Sequence, residues 1–273
     1  MRTIYVLGAG FSKSCGIATD LEMLMALNDR LPRDGSKLKS EPQTSIEHML
    51  EQVFKGRIVG FEQFMSTLSG LKFMPYYLKV GKDIFSETEA EIVLALRNYL
   101  AEATEAINFN CSSNPVRRFA ESVNWDTDLV VTFNYDLLLE AALSAIGTNH
   151  DDRILHLHGS LRDDDLVYPN TRKFTDSNNR IYYAERWRAA FDALREHTTL
   201  LKIVFIGYSM PPSDYEARGL FNYADWYNDL GHSSYEVWVV NPDSRVSANY
   251  DFLLHPPIYK QLKLEEYVGA RAQ

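Results

Sequence analysis

Thr3-Ile4-Tyr5-Val6-Leu7-Gly8-Ala9-Gly10-Phe11-Ser12 reads as a short apolar strand that runs straight into a glycine turn. Residues 129–133, 153–157, 202–206 and 236–240 repeat the first half of that pattern: a few β-branched and aliphatic residues closed by Gly, Asn, His-Gly or Asn-Pro. Continuous rather than alternating hydrophobicity suits parallel strands covered on both faces. Helix-like stretches separate most of them. Strands alternating with helices, with an early glycine turn, predict an α/β fold: a doubly wound, Rossmann-like parallel sheet.

Between the strands, residues 136–146 are periodic and stop at Gly147, a residue suited to closing a helix. Ser213 to Glu216 and Thr19 to Glu22 have capping-box spacing; the first opens a helix towards Asp229, the second one ending near Leu31-Pro32. From about residue 32 to 115 no buried strand is legible, and residues 87–107 form a long amphipathic pattern. We read this stretch as a helical insertion within a single domain spanning residues 1–273, either a control surface or a cover for the sheet. Residues 161–179 are polar and turn-rich, as expected of a loop or hairpin near the mouth of a site.

Composition narrows the function classes. The chain has 273 residues, 45% of them hydrophobic, which is ample for a large core. A formal charge of −9 and the absence of a Lys/Arg run make nucleic acid a poor partner. Cys15 and Cys111 form no metal or disulfide pattern, as expected in a reducing compartment. Neither a signal-peptide pattern nor a long apolar run is present, so a cytoplasmic protein away from membranes is expected.

In doubly wound sheets, ligands sit beyond the carboxyl ends of the strands. Five polar segments fall there. Gly8, Ala9, Gly10 and Ser12 leave room for a pyrophosphate at the backbone, or simply turn the chain. Asn134 and Asp136 offer an amide and a carboxylate to ribose hydroxyls or a water; alternatively, Asp136 caps a helix and Asn134 makes a turn. His156 and His158, two apart on a strand, share one face, a spacing that suits a metal only if a third ligand exists. His158, at the strand end before Gly159, suits a general base, and His156 a structural role. Gly207 and Ser209 allow close approach of an adenosine or ribose. Asn241, before Pro242, offers an amide to a ribose or an adenine edge, or makes a plain turn.

Gly8 to Ser12, Thr132 to Asp136, His158 to Ser160, Gly207 to Ser209 and Val240 to Asp243, in that order, resemble the sirtuin-like superfamily. The likeness runs from Met1 to about Leu264 outside the insertion, and is close to bacterial sirtuin-like proteins of antiphage defence, which degrade NAD. It implies that Gly8, Ala9, Gly10 and Ser12 line the NAD phosphates. Asn134 then orients the nicotinamide ribose or the attacking water, Asp136 lies near the nicotinamide, and His158 is the catalytic histidine. Gly207, Ser209 and Asn241 contact the adenosine half. NAD is the substrate, and no metal is implied.

Two departures matter. The four-cysteine zinc ribbon of the protein deacetylases is missing, and Gly16-Ile17-Ala18-Thr19-Asp20-Leu21 stands where they carry Gly-Ile-Pro-Asp-Phe-Arg. An NAD hydrolase is therefore expected ahead of a deacylase, with a non-catalytic NAD or ADP-ribose sensor as the rival reading. Such an activity is toxic when unchecked, so the resemblance also implies control by homo-oligomerisation or by a separately encoded partner.

Overall fold

The computed structural model describes residues 2–33, 44–72, 82–163, 166, 180–195, 200–229 and 235–271. The chain divides into two compact units, Met1–Ile17 with Thr104–Gln273, and Ala18–Ala103. In the first unit six strands form one sheet: β1 (Arg2–Leu7), β2 (Leu129–Thr132), β3 (Ile154–His156), β4 (Leu201–Ile206), β5 (Tyr235–Val240) and β6 (Ile258–Lys260). Their order is β3-β2-β1-β4-β5-β6 and every pairing is parallel. From β1 the chain winds outwards through β2 and β3, then returns to the other side for β4, β5 and β6. The order therefore reverses between β1 and β4, where such sheets open a crevice.

The helices, in chain order, are α1 (Ala9–Lys13), α2 (Asp20–Asn28), α3 (Ser45–Gln52), α4 (Phe61–Lys72), α5 (Lys82–Glu105), α6 (Pro115–Ser122), α7 (Leu138–Ala145), α8 (Arg180–Arg195), α9 (Tyr215–Asp229) and α10 (Leu264–Arg271). One sheet face, with Ile4, Val6, Ile203, Phe205, Val237 and Val239, is buried in a core shared with Ala190 and Leu194 of α8 and Ala217 and Phe221 of α9. On the other face Tyr5 meets Phe119 of α6 edge-on, with ring centroids 5.1 Å apart. Burial on both sides explains why the central strands read as unbroken apolar runs.

The second unit is helical among its described residues. Along α5 the buried positions Phe85, Thr88, Ile92, Ala95, Leu96 and Leu100 follow a helical stripe. Helix α3 opens with a complete capping box, in which Thr44 Oγ1 accepts from the Glu47 N–H and Glu47 Oε2 accepts from the Thr44 N–H, both at 3.0 Å.

Four sequence expectations change at this level. Strand β6 was not expected: it has three residues, follows Pro256-Pro257 and is largely exposed at the sheet edge, so it carries no apolar signature. Thr19 does precede α2, but its side chain makes no cap bond. At α9 the capping side chain is Asp214, whose Oδ1 accepts from the Ala217 N–H at 3.4 Å, rather than Ser213. Helix α7 ends as expected, with Gly147 at φ +77°, but starts at Leu138 rather than Asp136. Of the polar stretch 161–179, only residues 161–163 and 166 lie within the described residues. Among the described residues no helix is long and apolar enough to cross a membrane.

The tightest point of the sheet edge is Gly207, after β4. Its φ is +61°, and a Cβ there would fall 2.3 Å from the Phe11 nitrogen. Gly147 has φ +77° with nothing within 4 Å of such a Cβ. Alanine at Gly147 should therefore cost only the left-handed conformation, about 1–2 kcal/mol. Alanine at Gly207 should add an overlap of about 1–3 kcal/mol. Urea unfolding of the two variants checks the ranking, and equal losses would refute the contact.

Candidate functional site

The carboxyl ends of β2, β1, β4 and β5 lie side by side and carry Asn134, Gly8, Gly207 and Asn241 in that order. At the centre two loops touch through their backbones. Gly8 N–H donates to Ile206 O at 3.1 Å, Gly10 N–H to Gly207 O at 2.9 Å, and Phe11 N–H to Gly8 O at 2.8 Å. A Cβ on Gly8 would lie 2.5 Å from Tyr208 Cα, and one on Gly10 would lie 2.8 Å from Gly207 Cα. The absent side chains thus admit a neighbouring loop, a physical reason for these glycines that the sequence did not reveal. Ala9 and Gly10 still face outwards. Ser209 is exposed, and the next residue, Met210, is fully buried at φ +49°.

Asn134 is held from three sides. Its Nδ2 donates to Gly8 O at 3.0 Å and to Ser12 Oγ at 2.9 Å, and its backbone N–H donates to Thr132 Oγ1 at 3.1 Å. A carbonyl can only accept, so Gly8 O fixes which end of the amide points inwards. Oδ1 is left without a protein partner among the described residues. Ser12 is 1% exposed; its hydroxyl accepts from Asn134 and donates to Asp136 Oδ2 at 2.6 Å. Both roles of the hydroxyl are therefore filled within the protein.

Behind this chain of bonds lies a buried acid cluster. Asp136 Oδ1 accepts from the Leu138 N–H at 3.3 Å. Burial pushes the Asp136 carboxyl up from its ordinary value, the Ser12 hydroxyl and the Leu138 N–H pull it back, the Glu140 charge raises it and His156 lowers it. His156 Nδ1 lies 3.1 Å from Asn134 O, and Nε2 lies 2.7 Å from Glu140 Oε1. The carbonyl requires a proton on Nδ1, so a second proton must lie between Nε2 and Glu140. Asn134, Asp136, Glu140 and His156 line a cavity of about 10 Å³, room for the centre of one water.

His158 belongs to a different cluster. β3 ends at His156 and the chain turns through Leu157 and His158 to Gly159 at φ +81°, so the two imidazoles do not share a strand face as the spacing implied. His158 crosses instead towards the end of β4. Its Nε2 is 3.3 Å from Asp214 Oδ2, which also accepts from the Tyr208 hydroxyl at 2.7 Å. The His158 ring meets Phe133 edge-on at 4.9 Å, and Phe133 stacks on Tyr208 at 4.3 Å. His158 is 3% exposed and Asp214 fully buried. A carboxylate 3.3 Å from Nε2 favours a proton on that nitrogen and orients the ring.

The loop bearing His158 is clamped by α8. Arg186 makes a two-point pair with Asp163, at 2.9 and 3.0 Å, and donates to His156 O at 3.1 Å. Trp187 Nε1 donates to Leu157 O at 2.9 Å. Asn241 Oδ1 accepts from the Asp243 N–H at 3.0 Å, closing a local turn at the far end of the row.

Sequence reasoning missed Asp214, Tyr208, Glu140 and the Asp163–Arg186 clamp. Asp214 had a signal, because an Asp beside a helix start can serve a histidine as well as the helix. The others had none. No protein-family model matches the chain, and no curated protein matches it.

Two measurements check the network. Ser12→Ala strands an Asn134 N–H and an Asp136 oxygen in a buried site, so it should lower unfolding stability by about 1–3 kcal/mol. A loss within error in urea unfolding would contradict the network. The second concerns pH. A raised folded-state pKa means that Asp136 favours folding below the ordinary carboxylate value and that this contribution is lost as pH rises through the raised value. Asp136→Asn does not ionise there, so its stability relative to wild type should improve from pH 4 to pH 8. Thermal melts across that range test the sign, and a gap independent of pH would reject it.

Proposed function

We propose that the protein is a regulated NAD hydrolase of the sirtuin-like kind, cleaving the nicotinamide–ribose bond to give nicotinamide and ADP-ribose, with a role in antiphage defence. The observation that carries this reading is the fixed Asn134 amide, with Oδ1 unpartnered among the described residues, on the sheet edge that also bears the His158–Asp214 pair. The row from Asn134 to Asn241 spans three strand spacings, about 14 Å, which suits an extended ligand better than a compact one.

In this reading the outward edge at Ala9 and Gly10 takes the pyrophosphate, and Gly207, Ser209 and Asn241 take the adenosine half. Ser12 acts through Asn134 by holding its amide. The bond to nicotinamide breaks heterolytically: its electron pair leaves with the neutral ring, and positive charge develops on the ribose. Asn134 Oδ1 is a fixed dipole for a ribose hydroxyl or the incoming water, already oriented before the charge forms. Water adds at the same ribose carbon, and its proton passes to His158. Asp136 stays behind Ser12 and tunes the Asn134 support without touching the sugar. Oligomerisation or a partner protein supplies the control that such an activity needs.

The burial of His158, 3% exposed in this conformation, favours a second reading in which the chain binds NAD or ADP-ribose without turning it over. One experiment separates them. Purified protein is incubated with NAD and the products are resolved by mass, alongside Asn134→Ala and His158→Ala. Hydrolysis predicts nicotinamide and ADP-ribose in equal amounts, and a loss of about two to four orders of magnitude on removing His158. Calorimetric NAD binding with no product supports the sensor. Unchanged turnover in both variants removes the assignment of these residues.

A further inference from the structure

A second concave site lies on the sheet face that bears Tyr5, reaching from Thr3 and Lys202 near the amino-terminal ends of β1 and β4 to Lys260 at the end of β6. It is a groove of about 410 Å³ whose lining includes Tyr5, Lys202, Trp238, Lys260, Tyr267 and Arg271. Its strand residues come from β1, β4, β5 and β6, and α10 closes one side. Thr3 in its floor is five residues before Gly8, so about 16 Å of strand separates it from the glycine turn.

Three cations converge there in a chain with a formal charge of −9. Lys202 Nζ sits 3.2 Å from the centroid of the Trp238 ring, and Lys260 Nζ sits 4.9 Å from the same ring. The Arg271 guanidinium lies 5.4 Å from the Tyr5 ring and 5.9 Å from the Tyr267 ring, and donates to the Tyr5 hydroxyl. Lys202 has a carboxylate beside it, Glu236 Oε2 at 3.8 Å, which also accepts from Trp238 Nε1 at 3.0 Å. Among the described residues neither Lys260 nor Arg271 forms an ion pair. Asp128 lies close enough to act on Arg271 through its charge, and its oxygens also accept from the Thr3 N–H at 2.9 Å and the Asn124 N–H at 3.2 Å.

Among the described residues, three positive side chains at the groove face two carboxylates, Glu236 and Asp128, an excess of one. Burial lowers the Lys202 ammonium from its ordinary value; Glu236 opposes this, and the Arg271 and Lys260 charges add to it. Crowding of like charges in a concave, partly desolvated place is relieved by an anion. A phosphomonoester carries about −1.5 to −2 charges near neutral pH and three acceptor oxygens, one for each of the three cations. The volume is larger than one phosphate needs and falls in the range of small-molecule pockets. The three aromatic rings supply apolar wall for the rest of such a ligand.

We propose that this groove binds a phosphomonoester with a planar body, of the size of a nucleoside monophosphate, at a site separate from the cleft at the carboxyl ends of the strands. Lys260 and Arg271 hold the phosphate, Lys202 adds charge from the floor, and the aromatic residues flank the ring. The inference does not depend on NAD hydrolysis.

The test is calorimetry on the full chain with three probes: AMP, adenosine and inorganic phosphate. Lys260→Glu/Arg271→Glu is compared with wild type and with the charge-preserving Lys260→Arg. AMP should bind wild type and Lys260→Arg comparably, and weaken at least tenfold in the double variant, whose thermal melt serves as the folding control. Adenosine should bind at least tenfold more weakly than AMP. Raising salt from 50 to 300 mM should weaken AMP, as expected for a contact between charges. AMP affinity that survives the double variant overturns the site, as does failure of all three probes to bind at millimolar concentration. Equal affinity for AMP and inorganic phosphate overturns the planar body.

Discussion

Two backbone turns meet at the centre of the sheet edge with no side chain between them, and the geometry of the site follows from that contact. The turn after β1 and the loop after β4 are joined by Gly10 N–H to Gly207 O, and both sides are glycine because a Cβ would strike backbone within 3 Å. Strands β1 and β4 are where the winding direction reverses, so their loops would ordinarily diverge and leave a gap. Here the gap closes at its base. The outer edge of the first turn stays exposed, and Gly8 O becomes a fixed acceptor aimed at the end of β2. Asn134 takes its orientation from that oxygen.

Rigidity around Asn134 grows with distance from the open side. The amide hydrogens are taken by Gly8 and Ser12, the Ser12 proton by Asp136, and the Asn134 carbonyl by His156, which in turn meets Glu140. Every donor in that sequence has an acceptor, which is the condition under which a buried polar network stiffens a site instead of weakening it. The cost falls on the two carboxylates, Asp136 and Glu140, both nearly removed from water. Burial of acids in this way is tolerated because hydrogen bonds, a shared proton and room for one water answer the charge.

The sequence made the sheet legible and left the partners of its site residues obscure. Five strands announced themselves because strands covered on both faces must be apolar throughout; β6, exposed at the edge, had no such constraint and left no trace. Asn134 and Ser12 were identifiable as residues at strand ends, but their direct bond joins positions 122 apart, and no local pattern encodes a contact of that kind. The glycines were correctly marked as special, yet their spacing could not say whether a ligand or a neighbouring loop occupies the space they leave. His156 and His158 show the limit of periodicity most clearly. Two residues apart implies one face only while the strand continues, and here it stops between them.

That break separates two kinds of histidine chemistry within three residues. His156 is locked between a carbonyl and a carboxylate, with both nitrogens engaged, so it can hold a proton but cannot hand one to a ligand without dismantling the support of Asn134. The nearest carboxylate to His158 comes from another loop, beyond Phe133, and that Asp214 is itself anchored by Tyr208 and by the first turn of α9. Because Asp214 is fixed before any ligand arrives, the imidazole is oriented by the scaffold. The segment from Leu157 to Ser160 is itself tied to the end of β2, because the Leu157 N–H donates to Thr132 O at 2.9 Å. The Arg186–Asp163 pair and the Trp187 bond to Leu157 hold that segment to α8. Support for Asn134 and the covering of His158 meet at the same helix, because Arg186 donates to His156 O as well as pairing with Asp163.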